Sequence, residues 1–513
     1  MTTSLNQQLN QQLDQPLDQQ LPPTPSPAQA PRAGHGSSRP SADLRTGVGG
    51  PVRVLAGPVL LAGVGDEPGL AAHRRRWPAP SGLTVDQLLA LVRPMQVRGR
   101  GGAGFPFATK LSTAAESGRR RAVVVNAAEG EPGSAKDSTL MLVAPHLVLD
   151  GATLAAQALG VDEVAVVVAA ERPSVRQRVE EAIRRHDGPV GFTLDVARGF
   201  VGGQARAVIE MLSGRDNLPV TAWTPEAVKG LGNRPTLLSN AETFAQVGAL
   251  AALGAAEYGR WGTPDEPGTT LLTIAGDGMD GGTGLVAEAP FGVGLAEILA
   301  ASGHARGPAG ELPGALIGGY HGTWLTSDQL LRLRLSHEEL TRAGASIGAG
   351  VILPLPAEVC PVQRTAQIVG YLAGQSAGRC GPCAHGLPAL ADAVRLLAFG
   401  HAGEAVVVRL RQLVGLLPGR GACAHPDGTV RLVRSLLRAF PTEVALHVTG
   451  ACSGERGGIS TAHVPQPAPY APPVEPVAVQ PESRQVIADL VAPPAPTGGP
   501  AQPMRRRRDL RGR

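Results

Sequence analysis

The chain has 513 residues, too many for one hydrophobic core, so two to four domains are expected. Hydrophobic residues at 43% and charged residues at 18% are ordinary for a globular protein, and a formal charge of +4 is too small to mark a nucleic-acid binder. No apolar run is long enough to span a bilayer, no secretory signal pattern opens the chain, and five cysteines, none before Cys360, make no disulfide framework; a cytoplasmic location is expected.

Residues 1–50, rich in Gln, Pro and Ser, read as a disordered leader. Residues 51–262 alternate helix-like and strand-like runs. Leu83–Val92 has helical spacing with Thr84 as a cap, and Ala122–Val125 is a continuous apolar run of the kind buried in parallel sheets. His146–Leu159 reads as helix, Glu163–Ala169 as a second buried strand and Pro173–Arg185 as a charged amphipathic helix, which together predict a doubly wound parallel sheet. Thr269–Ile274, the turn Gly276–Gly282, Gly284–Ala289 and the helix Leu295–Ala301 predict a small mixed β domain over 263–330. From 331 to 463 helical patterns recur at Gln363–Leu372, Leu387–Leu397, Val406–Leu416 and Thr429–Ala439, predicting a helix bundle that contains all the cysteines. Residues 464–513 read as a Pro/Arg-rich disordered tail whose Arg505–Arg508 run is a solvated basic patch.

Three stretches carry chemistry. Gly99, Gly101, Gly102 and Gly104 crowd one loop, with Arg100, Ala103 and Phe105 between and after them and Lys110 shortly beyond; such a backbone comes close to a ligand, and a lysine beside it suits a phosphate. Only three lysines occur in the chain, Lys110, Lys136 and Lys229, so Lys110 and Lys136 are candidates for places where a compact ammonium is wanted. The loop Asn126–Gly133, holding Glu129 and Glu131, follows a predicted strand at its carboxyl end, where open α/β sheets place ligands. Cys380-Gly381-Pro382-Cys383 with Cys423, 39 residues lying between, offers three thiolates to one centre. An iron–sulfur cluster, a zinc site completed by His385 or His425, and a redox dithiol all use such a pattern, though the helical segment before it argues against the dithiol. Cys360 and Cys452 stand alone and read as inert.

The chain resembles the NADH-binding flavoprotein subunit of respiratory complex I, shared with NAD-linked hydrogenases and formate dehydrogenases. The resemblance rests on Arg98–Pro106 with Lys110, Asn126–Gly133 with Lys136-Asp137, Pro235-Thr236 with Asn240–Thr243, and the Cys380/Cys383/Cys423 spacing, and it spans roughly residues 52–450. It implies an FMN-binding Rossmann-like α/β domain, a ubiquitin-like β-grasp domain of the SLBB type and a helical iron–sulfur domain. It implies further that Arg100, Gly101, Gly102, Ala103, Gly104, Phe105, Lys110, Asn126, Glu129, Glu131, Gly203 and Asn240 bind the cofactor, with Phe105 and Phe107 available to stack on a ring. Cys380, Cys383 and Cys423 would hold a [4Fe–4S] or [3Fe–4S] cluster, with NAD(H) as substrate and a ferredoxin-like or membrane reductase subunit as redox partner. Membrane contact would be peripheral at most, at the inner face.

The departures bear on the donor. Ala128 stands where the family has an acid, Gly202–Arg206 replaces its Cys-Gly-Glu-Glu-Thr run, so that Gln204 and Ala205 fill acidic positions, and Ala377 replaces the first cluster cysteine. The missing acids, with Arg206 added, predict weakened NADH recognition or a shift toward a more anionic ligand, and the missing cysteine predicts a raised cluster potential. The reading that follows is an electron-transfer subunit that passes electrons through FMN to an iron–sulfur centre and a partner. The competing readings are a cofactor-poor scaffold and a zinc-stabilised binding module.

Overall fold

Two sheets and a helical bundle organise the chain. The computed structural model describes residues 44–45, 51–65, 69–118, 120–275, 284–304, 312–400 and 403–453, all within one compact unit, Ala42–Arg513. Most of the expected leader, the Gly276–Gly282 turn and the whole Pro/Arg-rich tail lie outside the described residues.

The strands are β1 (Leu44–Arg45), β2 (Pro51–Val54), β3 (Ala122–Ala127), β4 (Glu163–Ala169), β5 (Gly191–Ala197), β6 (Thr236–Asn240), β7 (Thr269–Ile274), β8 (Gly284–Pro290), β9 (Gly314–Ile317), β10 (Thr323–Thr326) and β11 (Val351–Leu355). The first sheet is parallel throughout, in the order β5-β4-β3-β6. Its centre, β3 and β4, is an unbroken apolar run because helices cover both faces; Val123, Val124 and Val125 are all buried. β5 is the edge, and its side chains alternate toward solvent. Helices Pro145–Leu159 and Pro173–Arg185 make the crossovers, the first entered through a proline and ended by Gly160 in the left-handed region. Thr84 closes a reciprocal capping box with Gln87 at the start of helix Val85–Val92, as its position in the sequence predicts.

The second sheet has the order β1-β2-β8-β7-β11-β9-β10. Within it, β8-β7 and β9-β10 are antiparallel hairpins joined by the central parallel pair β7/β11, with helix Leu295–Leu299 between the hairpins in the chain, the strand order of a β-grasp. Three of its strands, β1, β2 and β11, come from beyond the expected 263–330 span. β2 pairs in parallel with β8, and β11 pairs with β7 and β9, because the edge and the centre of this sheet would otherwise stay open. The leader is also shorter than expected: Leu44 and Arg45 pair with Val52 and Pro51. Glu288, buried on β8, accepts hydrogen bonds from the backbone N–H groups of Val59, Leu60 and Leu61 at 3.1, 3.0 and 3.0 Å and so ties the chain after β2 to this sheet.

Helices Pro361–Gly374, Leu387–Phe399, Gly403–Leu416, His425–Ala439 and Pro441–Val448 form the bundle. Its core of Val, Leu and Ile reaches the second sheet through Trp324, whose indole N–H donates to Thr365 at 2.9 Å.

Candidate functional site

The strand order of the first sheet turns at one place. From β3 the chain winds outward through β4 to β5, then returns to lay β6 on the other side of β3, so the crevice between β3 and β6 is the topological switch point. Asn126 and Asn240 are register partners at its carboxyl end. Asn126 accepts from the N–H of Ala128 at 3.1 Å and donates to the carbonyl of Gly203 at 2.8 Å, drawing the segment around Gly203 over the strand end. A Cβ on residue 203 would lie 2.5 Å from the carbonyl oxygen of Ala128, so only glycine permits this approach. Asn240 caps helix Ala241–Tyr258 by accepting from the N–H of Glu242 at 3.0 Å, while its amide donates to Asp137 at 2.8 Å.

The glycine loop is pinned at its neck, where the N–H of Gly99 donates to the carbonyl of Phe105 and that of Phe107 to Val97, both at 2.8 Å. Between them Gly102 holds φ at 107°, a conformation closed to side chains with a Cβ. Lys110, on helix Phe107–Glu116, is partly buried and donates to the carbonyl of Leu238 on β6 at 3.2 Å. Burial lowers its pKa, and an ammonium with three protons keeps donors for an anion here. Arg100 is buried differently. Its backbone N–H donates to Thr243, one guanidinium nitrogen to the carbonyl of Thr269 at 3.0 Å, and its plane lies 4.8 Å from the ring of Phe291. Beside it a cavity of about 140 Å³ is lined by Arg100, Lys136, Glu242, His337 and Gly348 among others. Lys110, Asn126, Gly203 and Asn240 do not border this cavity, which is far below the several hundred Å³ of a cofactor pocket. Arg100 therefore supports the loop from behind rather than from the strand-end side.

The acidic residues divide. Glu129 is committed to the protein: it accepts from Ser134, from both the N–H and hydroxyl of Ser138, and from the N–H of Asp137 at 3.0 Å, with Arg172 at 3.8 Å. Burial opposes its ionisation, but Arg172 and the serine hydroxyls keep its carboxyl below the ordinary range. It fixes the start of helix Lys136–Val143 and is saturated without a ligand. Lys136 is likewise buried against Asp137 at 2.7 Å and Glu242 at 2.9 Å, so the candidate ammonium joins two helices instead of facing a phosphate. Glu131 is the exception. It accepts from the N–H of Tyr320 at 3.2 Å, its Oε1 has no hydrogen-bond partner, and burial pushes its carboxyl up to about 8.

The substituted positions are also occupied by local structure. Gln204 caps helix Ala205–Leu212 by accepting from the N–H groups of Arg206 and Ala207. Arg206 pairs with Glu226 at 2.9 Å and donates to the carbonyls of Thr224 and Lys229. The expected pull of Arg206 on an anionic ligand is thus replaced by a tie to the 224–229 segment. Phe107, expected to be free for stacking, is fully buried edge-on to Phe244, whereas Phe105 is 46% exposed.

The three spaced cysteines come together at the rim of the bundle. Cys383 is buried and Cys380 and Cys423 are half-buried. The N–H of Ala422 donates to the Cys380 thiol, which sets it beside Cys423, and the N–H of Ala377 donates to the Cys383 thiol, which sets the residue at the missing-ligand position beside the group. Burial pushes Cys383 up to about 12, with Cys380 and Cys423 adding to it; Cys380 lies below the ordinary value because the N–H groups around it outweigh burial. His425 is not a ligand. Its Nε2–H donates to Leu372 at 2.9 Å and its Nδ1 accepts from His321 at 3.0 Å, so neither nitrogen is free. His385 is exposed on the π-helical segment Pro382–Gly386 that also carries Cys383.

Phe200, which sequence reasoning passed over, connects the two regions. It follows Gly199 on the segment ending at Gly203, lies edge-on to His321 and Tyr371 and tilted to His425, and donates its N–H to Gln375 at 3.3 Å, two residues before Ala377. Arg379, next to Cys380, pairs with Asp216 at 2.6 Å across the same boundary. No local signal marks Phe200; its partners lie more than a hundred residues away.

The residues present fit both cofactors in part. Gly203 crosses close over the end of β3, Gly101 comes close to Asn240 at the end of β6, and Lys110 has donors for a phosphate; three thiols gather where a cluster would sit. The Nuo51 FMN-binding domain model matches residues 92–249, and the NADH-ubiquinone oxidoreductase-F iron-sulfur binding region model matches residues 363–447. The F 2 subunit of the NADH-quinone oxidoreductase of Rhizobium meliloti is 29% identical over 384 residues, covering 71% of this chain and 89% of the relative. The F subunit of the Mycobacterium tuberculosis enzyme is 30% identical, with 71% and 85% covered. Among solved structures, an NAD+-reducing [NiFe]-hydrogenase in the air-oxidized state superposes with a TM-score of 0.66 at 28% identity, covering 77% of this chain and 68% of that one.

Proposed function

The chain belongs to the family of the F subunit of NADH-quinone oxidoreductase, and from that premise we propose that it is the electron-entry subunit of an oxidoreductase assembly. Lys110, with the N-terminus of helix Ala241–Tyr258, binds the phosphate end of FMN, and Asn126 and Gly203 shape the crevice for the rest. Cys380, Cys383 and Cys423 hold an iron–sulfur cluster, with Ala377 leaving one position to another ligand. When bound, FMN supplies the change from paired to single electrons and the cluster supplies the relay.

The observation that carries this reading is the hydrogen bond from Phe200 to Gln375. It joins the segment over the flavin crevice directly to the loop that presents the cysteines, so the two sites share one wall. The partner that takes the electrons is a redox protein, which we assign to the ferredoxin-like or membrane reductase class. No single helix among the described residues is long and apolar enough to cross a membrane.

The donor is a nicotinamide nucleotide, with discrimination weakened because positions 128, 204 and 205 lack the carboxylates that read a ribose. Stopped-flow mixing of the FMN-loaded protein with NADH and with NADPH tests this. Slow bleaching of the flavin by NADH, with little preference over NADPH and a gain of both rate and preference in Ala128→Asp, is the expected result. A flavin that neither nucleotide bleaches sinks the entry role.

A further inference from the structure

Four side chains outside the sites above converge inside the bundle. Cys360, Glu443, His447 and Cys452 are all buried, and one ligand atom from each lies within 4.8 Å of the others. The Sγ of Cys360 is 3.1 Å from Nε2 of His447 and 3.6 Å from Oε1 of Glu443, and those two atoms are 3.4 Å apart. Ligands of a tetrahedral zinc ion, with bonds of about 2.0–2.3 Å, stand about 3.3–3.8 Å from one another, so Cys360, Glu443 and His447 are already close to that spacing, with Cys452 within 4.8 Å of each.

The surroundings orient these groups as metal ligands. His447 Nδ1 lies 3.2 Å from the carbonyl of Leu397, which can only accept, so the proton is on Nδ1 and the lone pair of Nε2 points toward Cys360. A ring held in this way is the usual state of a metal-bound histidine. Glu443 and His447 are one turn apart on helix Pro441–Val448 and therefore share a face. Cys360 stands at the N-cap of helix Pro361–Gly374, where the N–H of Gln363 donates to its sulfur. Glu443 is held from outside by the N–H of Ser453 at 3.0 Å and by the Ser453 hydroxyl.

We propose that Cys360, Glu443, His447 and Cys452 bind one zinc ion in a closed structural centre. Four protein ligands, two of them thiolates, fill a tetrahedral shell and leave no position for substrate. The centre fastens the last helix of the bundle to the first. It is separate from the rim cysteines, which share no residue with it.

Full-length protein purified without chelator and analysed for zinc and iron together tests the assignment. About one zinc per chain is expected. That zinc should persist in Cys380→Ser/Cys423→Ser and fall to background in Cys360→Ser/Cys452→Ser. Because loss of the centre can unfold the bundle, a second measurement keeps all four ligands intact. The Cys380→Ser/Cys383→Ser/Cys423→Ser chain is stripped of metal and titrated with Co(II), and should show the visible bands of tetrahedral cobalt with thiolate charge transfer. Wild-type protein without zinc, absence of those bands, zinc that follows the rim cysteines, or a Cys360–Cys452 disulfide in the mass spectrum would each overturn the proposal.

Discussion

At the carboxyl ends of β3 and β6 most polar side chains already have protein partners; at the rim of the bundle the three thiols have chiefly backbone N–H groups and one another. The crevice is therefore a rigid frame in which few side chains remain for a ligand, and the rim is a set of ligands whose frame is thin. The first should survive loss of its cofactor, and the second should not exist as an ordered site without one. The same contrast sets apart residues that family position alone would group: Asn240 and Glu129 build the crevice, whereas Lys110 has donors left for what enters it.

The largest effect falls at the rim. Cys383→Ser should reduce cluster iron to background, read by iron analysis and low-temperature EPR, while FMN content stays unchanged; simultaneous loss of FMN would mean that the two regions are not separable. Next comes Glu131, the acid buried against the backbone of Gly319 and Tyr320. Its folded pKa of about 8 against an unfolded value near 4.5 means the folded protein holds a proton that the unfolded chain releases. The resulting stabilisation is complete below about pH 4.5 and is lost as pH rises through 8, on the order of a few kcal/mol in total. Thermal melts of the wild type should fall across that window, and those of Glu131→Gln should fall less; parallel curves would show that Glu131 ionises freely. The smallest effects form a pair. Lys110→Ala should weaken FMN binding by about 10–100-fold in a fluorescence titration, the worth of one charged hydrogen bond, with little change in melting. Asn240→Ala should cost about 1 kcal/mol of stability through the lost cap. The frame-and-ligand distinction fails if the two variants exchange phenotypes.

Much of the framework is legible in the residues. Glu163–Ala169, Pro173–Arg185 and Thr269–Ile274 are the observed elements to the residue, because a continuous apolar run, a charged amphipathic pattern and clear boundaries all act locally. β5 is less visible because an edge strand with solvent on one side carries only a weak alternation. β2 and β11 were hidden for a different reason: their partners are remote, and nothing in Pro51–Val54 says which sheet it will join. The glycine loop, Asn126 and the rim cysteines could be picked out by type and spacing. That Glu129, Asn240 and Arg206 are consumed by neighbours could not, since each partner lies in another element. Cys360 and Cys452 looked solitary for the same reason. Glu443 and His447 give a one-turn ligand pair, but their fellow Cys360 is 83 residues before Glu443.

The tie between Glu288 and the N–H groups of Val59–Leu61 also bears on how the chain is made. The two ends of that bond are 229 residues apart. At roughly 5–20 residues per second, a newly synthesised β2 waits on the order of 10–50 s before β8 leaves the ribosome. Until then Val52 and Val54, buried in the finished protein, have no sheet to enter. The stretch 92–249 contains neither half of this closure. Excised at those limits, the first sheet would lose Val59, Leu60 and Leu61, which the tie holds in place and whose side chains share its core.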